Sequence, residues 1–292
     1  MTPRLPRTAA LLAAAAALAL AAVPATAAAA PPKRVVALTP FTANLSAALG
    51  VKPLAIGETL GGNEKYVKGL NGVKRLPLSH PNGPNMEQLA VLNPQLVLSS
   101  PTWRKGNQTM RQLQMKVVES DPTSVADVPK QVLKIGALLG REKPAARLAK
   151  QQRQAIAAAK SHITSHPSVL LVLGVGRTPY AFLENSWGGD VIRRAGGVLI
   201  TKGLKNSGGF ARISNEYVID QNPDVIIAVP HGAAKDMEGM AKFLRTNPAW
   251  QDTRAVKAGR LYVSTDNSLL QAWTQAATSI RDVQQKYLLN DQ

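Results

Sequence analysis

The chain has 292 residues, 35 lysines and arginines against 18 aspartates and glutamates, a formal net charge of +17 at pH 7, and no cysteine. The lack of cysteine excludes disulfides, thiolate metal sites, a thiol nucleophile and a cysteine-linked lipid. The length allows two domains, and the basic charge suits an anionic ligand or an acidic envelope surface. Nucleic acid is disfavoured, because the basic residues are scattered and no recognition motif is present.

The N-terminal segment has the features of a secretory signal peptide. Two arginines precede an Ala/Leu-rich stretch at residues 9–22, and a Pro-Ala-Thr-Ala sequence follows at residues 24–27. This pattern predicts a signal peptide over residues 1–27. The apolar run is shorter than the roughly 20 residues of a membrane-spanning helix. We therefore expect an exported, soluble protein that is periplasmic or associated with the cell envelope and is not a lipoprotein.

Residues 33–124 alternate short apolar strands with helical stretches. Residues 34–38 predict a buried strand, and a helix that closes at Gly50 follows. Further short strands are predicted at residues 54–56, 96–98 and 116–118. This alternation predicts an N-terminal α/β lobe.

The next segment, residues 125–164, is rich in helix-forming residues. It predicts a short helix and then one long helix, with a break near residues 140–144. A buried strand at residues 169–173 then opens a C-terminal α/β lobe over residues 165–292. The predicted fold class is α/β, with two Rossmann-like lobes joined by one long helix and a ligand cleft between the lobes.

Residues 85–98 and 214–227 share one pattern, which indicates an internal repeat. In each copy a capping residue, Asn85 or Ser214, opens a short helix that carries a glutamate in its first turn. An Asn-Pro pair then ends the helix before a buried strand. The two lobes are predicted to be duplicates of one design.

These features resemble the substrate-binding proteins of ABC importers for haem, siderophores and cobalamin, in which one rigid helix holds two α/β lobes. The resemblance covers essentially the whole chain after the signal segment. It rests on residues 34–40, on the repeated units, on the helical segment and on residues 255–263. Within that family the chain most resembles the haem receptors of Gram-positive surface haem-uptake systems.

The resemblance implies a carrier, and the residues themselves offer no enzyme motif. The Gly-Val-Gly sequence at residues 174–176 lacks the third glycine of a dinucleotide loop. No nucleophile elbow, zinc-protease motif or Walker loop is present. The resemblance further implies that Glu87 and Glu216 meet arginines of the membrane permease, and we expect a monomer. The alternative is that each glutamate only interacts with the dipole of its own helix.

For haem, the resemblance implies one axial iron ligand from each lobe, Met86 and His231. A thioether and an imidazole both suit haem iron. His231 also directly follows a buried strand, at the edge where open α/β sheets bind ligands. His80, Tyr66 and Tyr180 are the rival ligands.

The remaining predicted contacts to haem are Trp103, Arg104, Arg177 and Tyr180, which offer a flat apolar face, countercharge for the propionates and a phenol. Core packing for the aromatic residues and simple solvation for the arginines are the alternatives. A ferric siderophore or cobalamin bound to the same fold would need neither Met86 nor His231. A structural or adhesive role without a small ligand is the third possibility.

Overall fold

The chain folds into two α/β lobes, as the sequence predicts. The computed structural model describes residues 30–59, 64–159, 164–175, 178–264 and 267–289, and the predicted signal segment lies outside these residues. The first lobe contains β1 Val35–Ala37, α1 Pro40–Ala48, β2 Ala55–Glu58, β3 Lys74–Ser79, β4 Gly83–Pro84, α2 Met86–Val91, β5 Leu96–Ser99, α3 Arg104–Gln112 and β6 Val117–Glu119. Its sheet has the strand order β4-β3-β2-β1-β5-β6, and only the β3–β4 pair is antiparallel.

The first strand-to-helix turn shows how local sequence determines where α1 begins and ends. Thr39 caps α1, because its hydroxyl accepts from the Thr42 N–H at 3.1 Å while its own N–H donates to Thr42 Oγ1 at 3.3 Å. Pro40 occupies the first helical position, where a missing N–H costs nothing. Gly50 follows the helix at a φ of 76°, a conformation that favours glycine.

Two helices connect the lobes, one short and one long, as predicted. They are α4 Val128–Leu138 and α5 Glu142–Ala158. Three residues join them, so they pack along each other as a hairpin. A Cβ added to Gly136 in α4 would lie 2.1 Å from the Cβ of Ala145 in α5. The absence of a side chain at Gly136 therefore lets the two helices pack closely at this point.

The second lobe is built on a mixed sheet. It contains β7 Ser168–Val175, β8 Thr178–Phe182, α6 Trp187–Ala195, β9 Val198–Leu199, β10 Phe210–Arg212, α7 Asn215–Gln221, β11 Val225–His231, α8 Met237–Arg245, α9 Arg254–Lys257, β12 Leu261–Val263 and α10 Ala276–Val283. The strand order is β10-β8-β7-β11-β12, and β9 also pairs with β7. The β7–β8 and β8–β10 pairs are antiparallel and the other pairs are parallel.

The sequence did not predict the antiparallel β7–β8 pair, and the packing of α8 on this sheet explains Gly174. Gly174 lies within β7 and pairs with Pro179. A Cβ at Gly174 would lie 2.7 Å from a methyl carbon of Leu244 in α8. The glycine therefore permits close packing of helix on sheet.

The internal repeat is confirmed in three dimensions. Asn85 caps α2 and Ser214 caps α7, each by accepting a backbone N–H at 3.0 and 3.2 Å respectively. Asn93 and Asn222 follow these helices at φ of 44° and 42°, where asparagine is better tolerated than most residues. The chain then enters β5 in the first lobe and β11 in the second.

One buried apolar cluster runs through both lobes and the connecting hairpin. It includes Phe41 from α1, Val132 from α4, Ala149 from α5, Val169 from β7 and Ile280 from α10. The lobes are therefore packed through the hairpin as well as joined by it. In the part of the chain that the structure describes, no helix combines the length and apolarity needed to cross a membrane.

Candidate functional site

A cavity of about 190 Å³ lies between the lobes, at the carboxyl ends of the parallel strands. The first lobe contributes a residue at or just beyond the end of each parallel strand: Thr39 after β1, Thr59 after β2, His80 after β3, Ser100 after β5 and Asp121 after β6. The second lobe contributes His231, the last residue of β11. This is the edge at which open α/β sheets bind their ligands.

Most of the surface that lines the cavity is apolar, although eight of the thirteen lining residues have polar side chains. The apolar lining residues are Leu38, Leu78, Trp103, Phe210 and Leu270. Thr102 and Gln271 complete the polar part of the lining. Among the described residues, no lysine or arginine lines the cavity. Such a lining suits a ligand with a large apolar surface and few polar contacts.

His231 occupies the position that the sequence predicted for a ligand-binding histidine. The ring is half-buried, and among the described residues its Nδ1 is buried without a hydrogen-bond partner. Burial lowers the pKa of His231; the charge of Glu64 opposes this shift and that of His80 adds to it. The neutral imidazole, which is the form that binds metals, is thus favoured.

His80 approaches the same cavity from the first lobe. Its ring is exposed, and the ring centroid lies 6.5 Å from that of Trp103. The charge of His80 also lowers the pKa of His231, which reflects the proximity of the two rings. The structure therefore brings one histidine from each lobe to a single cavity.

The other predicted iron ligands lie elsewhere. Met86 is half-buried at the start of α2, packs against the apolar cluster that includes Leu89, and is not among the lining residues. Tyr66 donates its hydroxyl to the Gly57 carbonyl, and the Arg75 guanidinium lies 4.3 Å from its ring centroid. Burial raises the pKa of Tyr66 further above its ordinary value. Tyr180 pairs within the second sheet and packs on the core.

Of the predicted haem-contacting residues, some line the cavity and others do not. Trp103 is buried and lines the cavity, and among the described residues its Nε1 has no hydrogen-bond partner. Arg104 is exposed at the first position of α3 and does not line the cavity. Arg177 lies outside the described residues. The contacts proposed for these residues stay predictions.

Asp121 is a site residue that the sequence did not single out. It lines the cavity, and burial raises its pKa to about 6, although a hydrogen bond with Ser100 opposes this shift. No ion pair within the described part of the chain includes it. Phe210 and Gln271 were missed as well. The available signal for Asp121 was its position just after β6, whereas nothing local marks Phe210 or Gln271.

Glu87 and Glu216 are exposed, each in the first turn of its helix. Hydrogen bonds from its own backbone N–H and with Ser214 hold the pKa of Glu216 below its usual value. Their equivalent positions agree with both alternatives drawn from the sequence. Docking to a permease stays a prediction.

Known proteins share this architecture. The profile described as "Periplasmic binding protein" matches residues 35–267. The high-affinity heme uptake system protein IsdE of Staphylococcus aureus is 28% identical over 231 residues, which span 77% of each protein. The crystal structure of IsdE complexed with heme has a TM-score of 0.72 at 23% identity, over 86% of this chain and 97% of that one.

Two other solved structures share this fold. An ABC transporter substrate-binding protein from Listeria monocytogenes EGD-e has a TM-score of 0.73 at 25% identity, over 90% of this chain and 100% of that one. The periplasmic vitamin B12 binding protein BtuF of Vibrio cholerae has a TM-score of 0.68 at 15% identity, over 87% and 96%. The fold alone therefore does not specify the ligand. The chain belongs to the periplasmic binding protein family and is a substrate-binding protein of an ABC importer rather than an enzyme.

Proposed function

We propose that this protein binds haem in the cavity between its lobes and delivers it to the permease of its importer from outside the cytoplasm. The observation that carries the proposal is the meeting of His80 and His231, one from each lobe, in a cavity with mainly apolar walls. Two axial ligands and an apolar slot suit a porphyrin with six-coordinate iron. The similarity to IsdE supports the same ligand.

His231 is the proposed axial ligand of the second lobe. For the first lobe, the cavity lining favours His80, whereas the family resemblance favours Met86. Met86 would reach the iron only if the start of α2 moved toward the cavity. Arg104 and Arg177 remain the candidates for contact with the propionates.

The size of the cavity bears on how haem enters. Its volume of about 190 Å³ is below the roughly 300–1,000 Å³ typical of small-molecule sites. A porphyrin therefore either stays partly exposed at the mouth or separates the lobes as it binds. Because one apolar core runs through both lobes and the connecting hairpin, we expect the lobes to separate only slightly.

The test is an absorbance titration of the purified protein with ferric haem. We expect a saturable one-to-one Soret shift with low-spin bands, lost in His231→Ala. The matched control is His166→Asn, which removes an exposed histidine outside the cavity and keeps a residue type that tolerates its φ of 43°. This control should bind haem as the unmodified protein does.

The competing ligands are tested in the same preparation. A ferric siderophore or cobalamin would replace haem as the proposed ligand if haem gave no saturable shift and one of these compounds raised the melting temperature. A protein that no metal complex stabilises would instead support a structural or adhesive role.

A further inference from the structure

The exposed side of α5 carries a row of basic side chains. Its members are Lys143, Arg147, Lys150 and Arg153, and all four are exposed. At about 100° per residue, the four fall within an arc of about 120° and extend over about 15 Å of helix. We refer to these four residues as the basic ridge.

The packing of α5 fixes where the basic ridge points. Ala145 and Ala149 are fully buried; at about 100° per residue, their shared side of the helix lies about 120–180° from Lys143, Arg147 and Lys150, and about 60° from Arg153. Gly136 of α4 packs closely against Ala145. Lys143, Arg147 and Lys150 therefore point away from the packed side of α5, and Arg153 lies at its flank.

The charges of the basic ridge are not neutralised locally. None of the ion pairs found in the described part of the chain includes any of the four residues. The only acidic residue of α5, Glu142, lies about 100° around the helix from Lys143. Several cations elsewhere do have acidic partners, such as Arg194 with Asp190 at 2.7 Å.

We propose that the basic ridge binds the anionic phospholipid surface of a membrane. Cations in a row on a rigid helix can approach a flat anionic surface together, and clusters of four or more basic residues next to a bilayer bind acidic headgroups. Apart from Glu142 at the first position, the other exposed side chains of the helix are short or neutral, such as Ala146 and Gln154, and do not hold the ridge away from a surface. The exposed side has no aromatic residue on which nucleic-acid bases would stack. This binding is independent of the ligand that occupies the cavity.

The test is co-sedimentation of the purified protein with vesicles that contain equal parts phosphatidylglycerol and phosphatidylcholine. Replacing all four ridge residues with glutamine should weaken binding on the order of several hundredfold, because each basic residue near such a surface contributes roughly a fivefold factor and the four factors multiply. The control variant makes the same charge change on the second lobe, with Lys202→Gln, Lys205→Gln, Lys242→Gln and Arg245→Gln. It should bind nearly as the unmodified protein does.

Four further readouts make the outcome decisive. Binding should be absent with pure phosphatidylcholine and should fall in about 1 M salt, where the screening length is about 3 Å. Equal losses in the ridge and control variants would overturn the proposal, because net charge alone would then explain binding. Binding to inorganic polyphosphate without binding to vesicles would also overturn it. Far-UV circular dichroism should show both variants folded, since glutamine is a good helix former.

Discussion

At the scale of single residues, Asp121 is a carboxyl group whose burial disfavours its ionised form. It lies in the cavity wall, and burial raises its pKa to about 6. An aspartate in an unfolded chain has a pKa of about 3.9. Between these two values the folded protein binds a proton that the unfolded chain releases, so the free energy of unfolding falls as the pH rises through this window.

Asp121→Asn should therefore stabilise the protein at neutral pH. Asparagine carries no charge to desolvate and can still hydrogen-bond with Ser100. We expect a gain of up to about 3 kcal/mol in the free energy of unfolding at pH 7.5 and almost none at pH 4. Urea unfolding at the two pH values measures this difference. An equal effect at both values would contradict it, and the exposed Asp236→Asn serves as the control.

The first-lobe iron ligand is the second question at this scale. His80 lines the cavity and Met86 packs against the core, so we expect His80→Ala to convert low-spin haem to a high-spin form. Met86→Ala should leave the spectrum unchanged and lower the free energy of unfolding by about 1–3 kcal/mol through lost packing. Absorbance spectra of the two haem-loaded variants decide the matter. The reverse pattern would assign the ligand to Met86 and show that α2 moves on binding.

At the scale of elements, the hairpin of α4 and α5 depends on the small size of two facing residues. Gly136 meets Ala145 where an added Cβ would lie 2.1 Å away. Glycine normally weakens a helix by about 1 kcal/mol relative to alanine. Its position inside α4 is therefore explained by the approach of the neighbouring helix.

Gly136→Ala should lower the free energy of unfolding by about 1–3 kcal/mol, because the overpacking exceeds the gain in helix propensity. Gly239 in α8 is the matched control, since nothing lies within 4 Å of a Cβ built there. Gly239→Ala should instead raise stability by about 0.5–1 kcal/mol. Thermal and urea unfolding measure both effects. Adding Ala145→Gly to Gly136→Ala should restore most of the lost stability. If it does not, the clash is not the cause of the destabilisation.

At the scale of the whole molecule, the repeat places Glu87 and Glu216 at equivalent positions on the two lobes. A permease that contacts both lobes at once would meet both glutamates. A pair of first-turn glutamates that served only their own helices would have no such partner.

The double variant Glu87→Lys/Glu216→Lys should abolish uptake through the importer and leave ligand affinity unchanged. Opposed like charges at the permease would replace attraction with repulsion. The control is Glu142→Lys/Glu238→Lys, which reverses two exposed first-turn glutamates on α5 and α8. Growth of the source cell on haem as its iron supply measures uptake. Equal growth of the two variants would leave only the helix dipole as a role for Glu87 and Glu216.

The amino-acid sequence by itself determined the features that depend on neighbouring residues. The caps at Asn85 and Ser214, the helix stops and the buried strands are local signals, because capping and side-chain periodicity act within a few residues. The repeat of these signals predicted two similar lobes, and the strand before His231 predicted that it faces a ligand. The same reasoning placed Met86 beside its helix but could not show that its side chain packs against the core.

Only the tertiary structure decided which side chains share the cavity. The lining runs from Leu38 to Gln271 in the chain, and it joins the carboxyl edges of two separate sheets. Asp121 and Phe210 reach the cavity only because strand order and lobe packing bring them there. Contacts between residues so far apart depend on how whole elements pack, and no local pattern of apolar and polar residues specifies that packing.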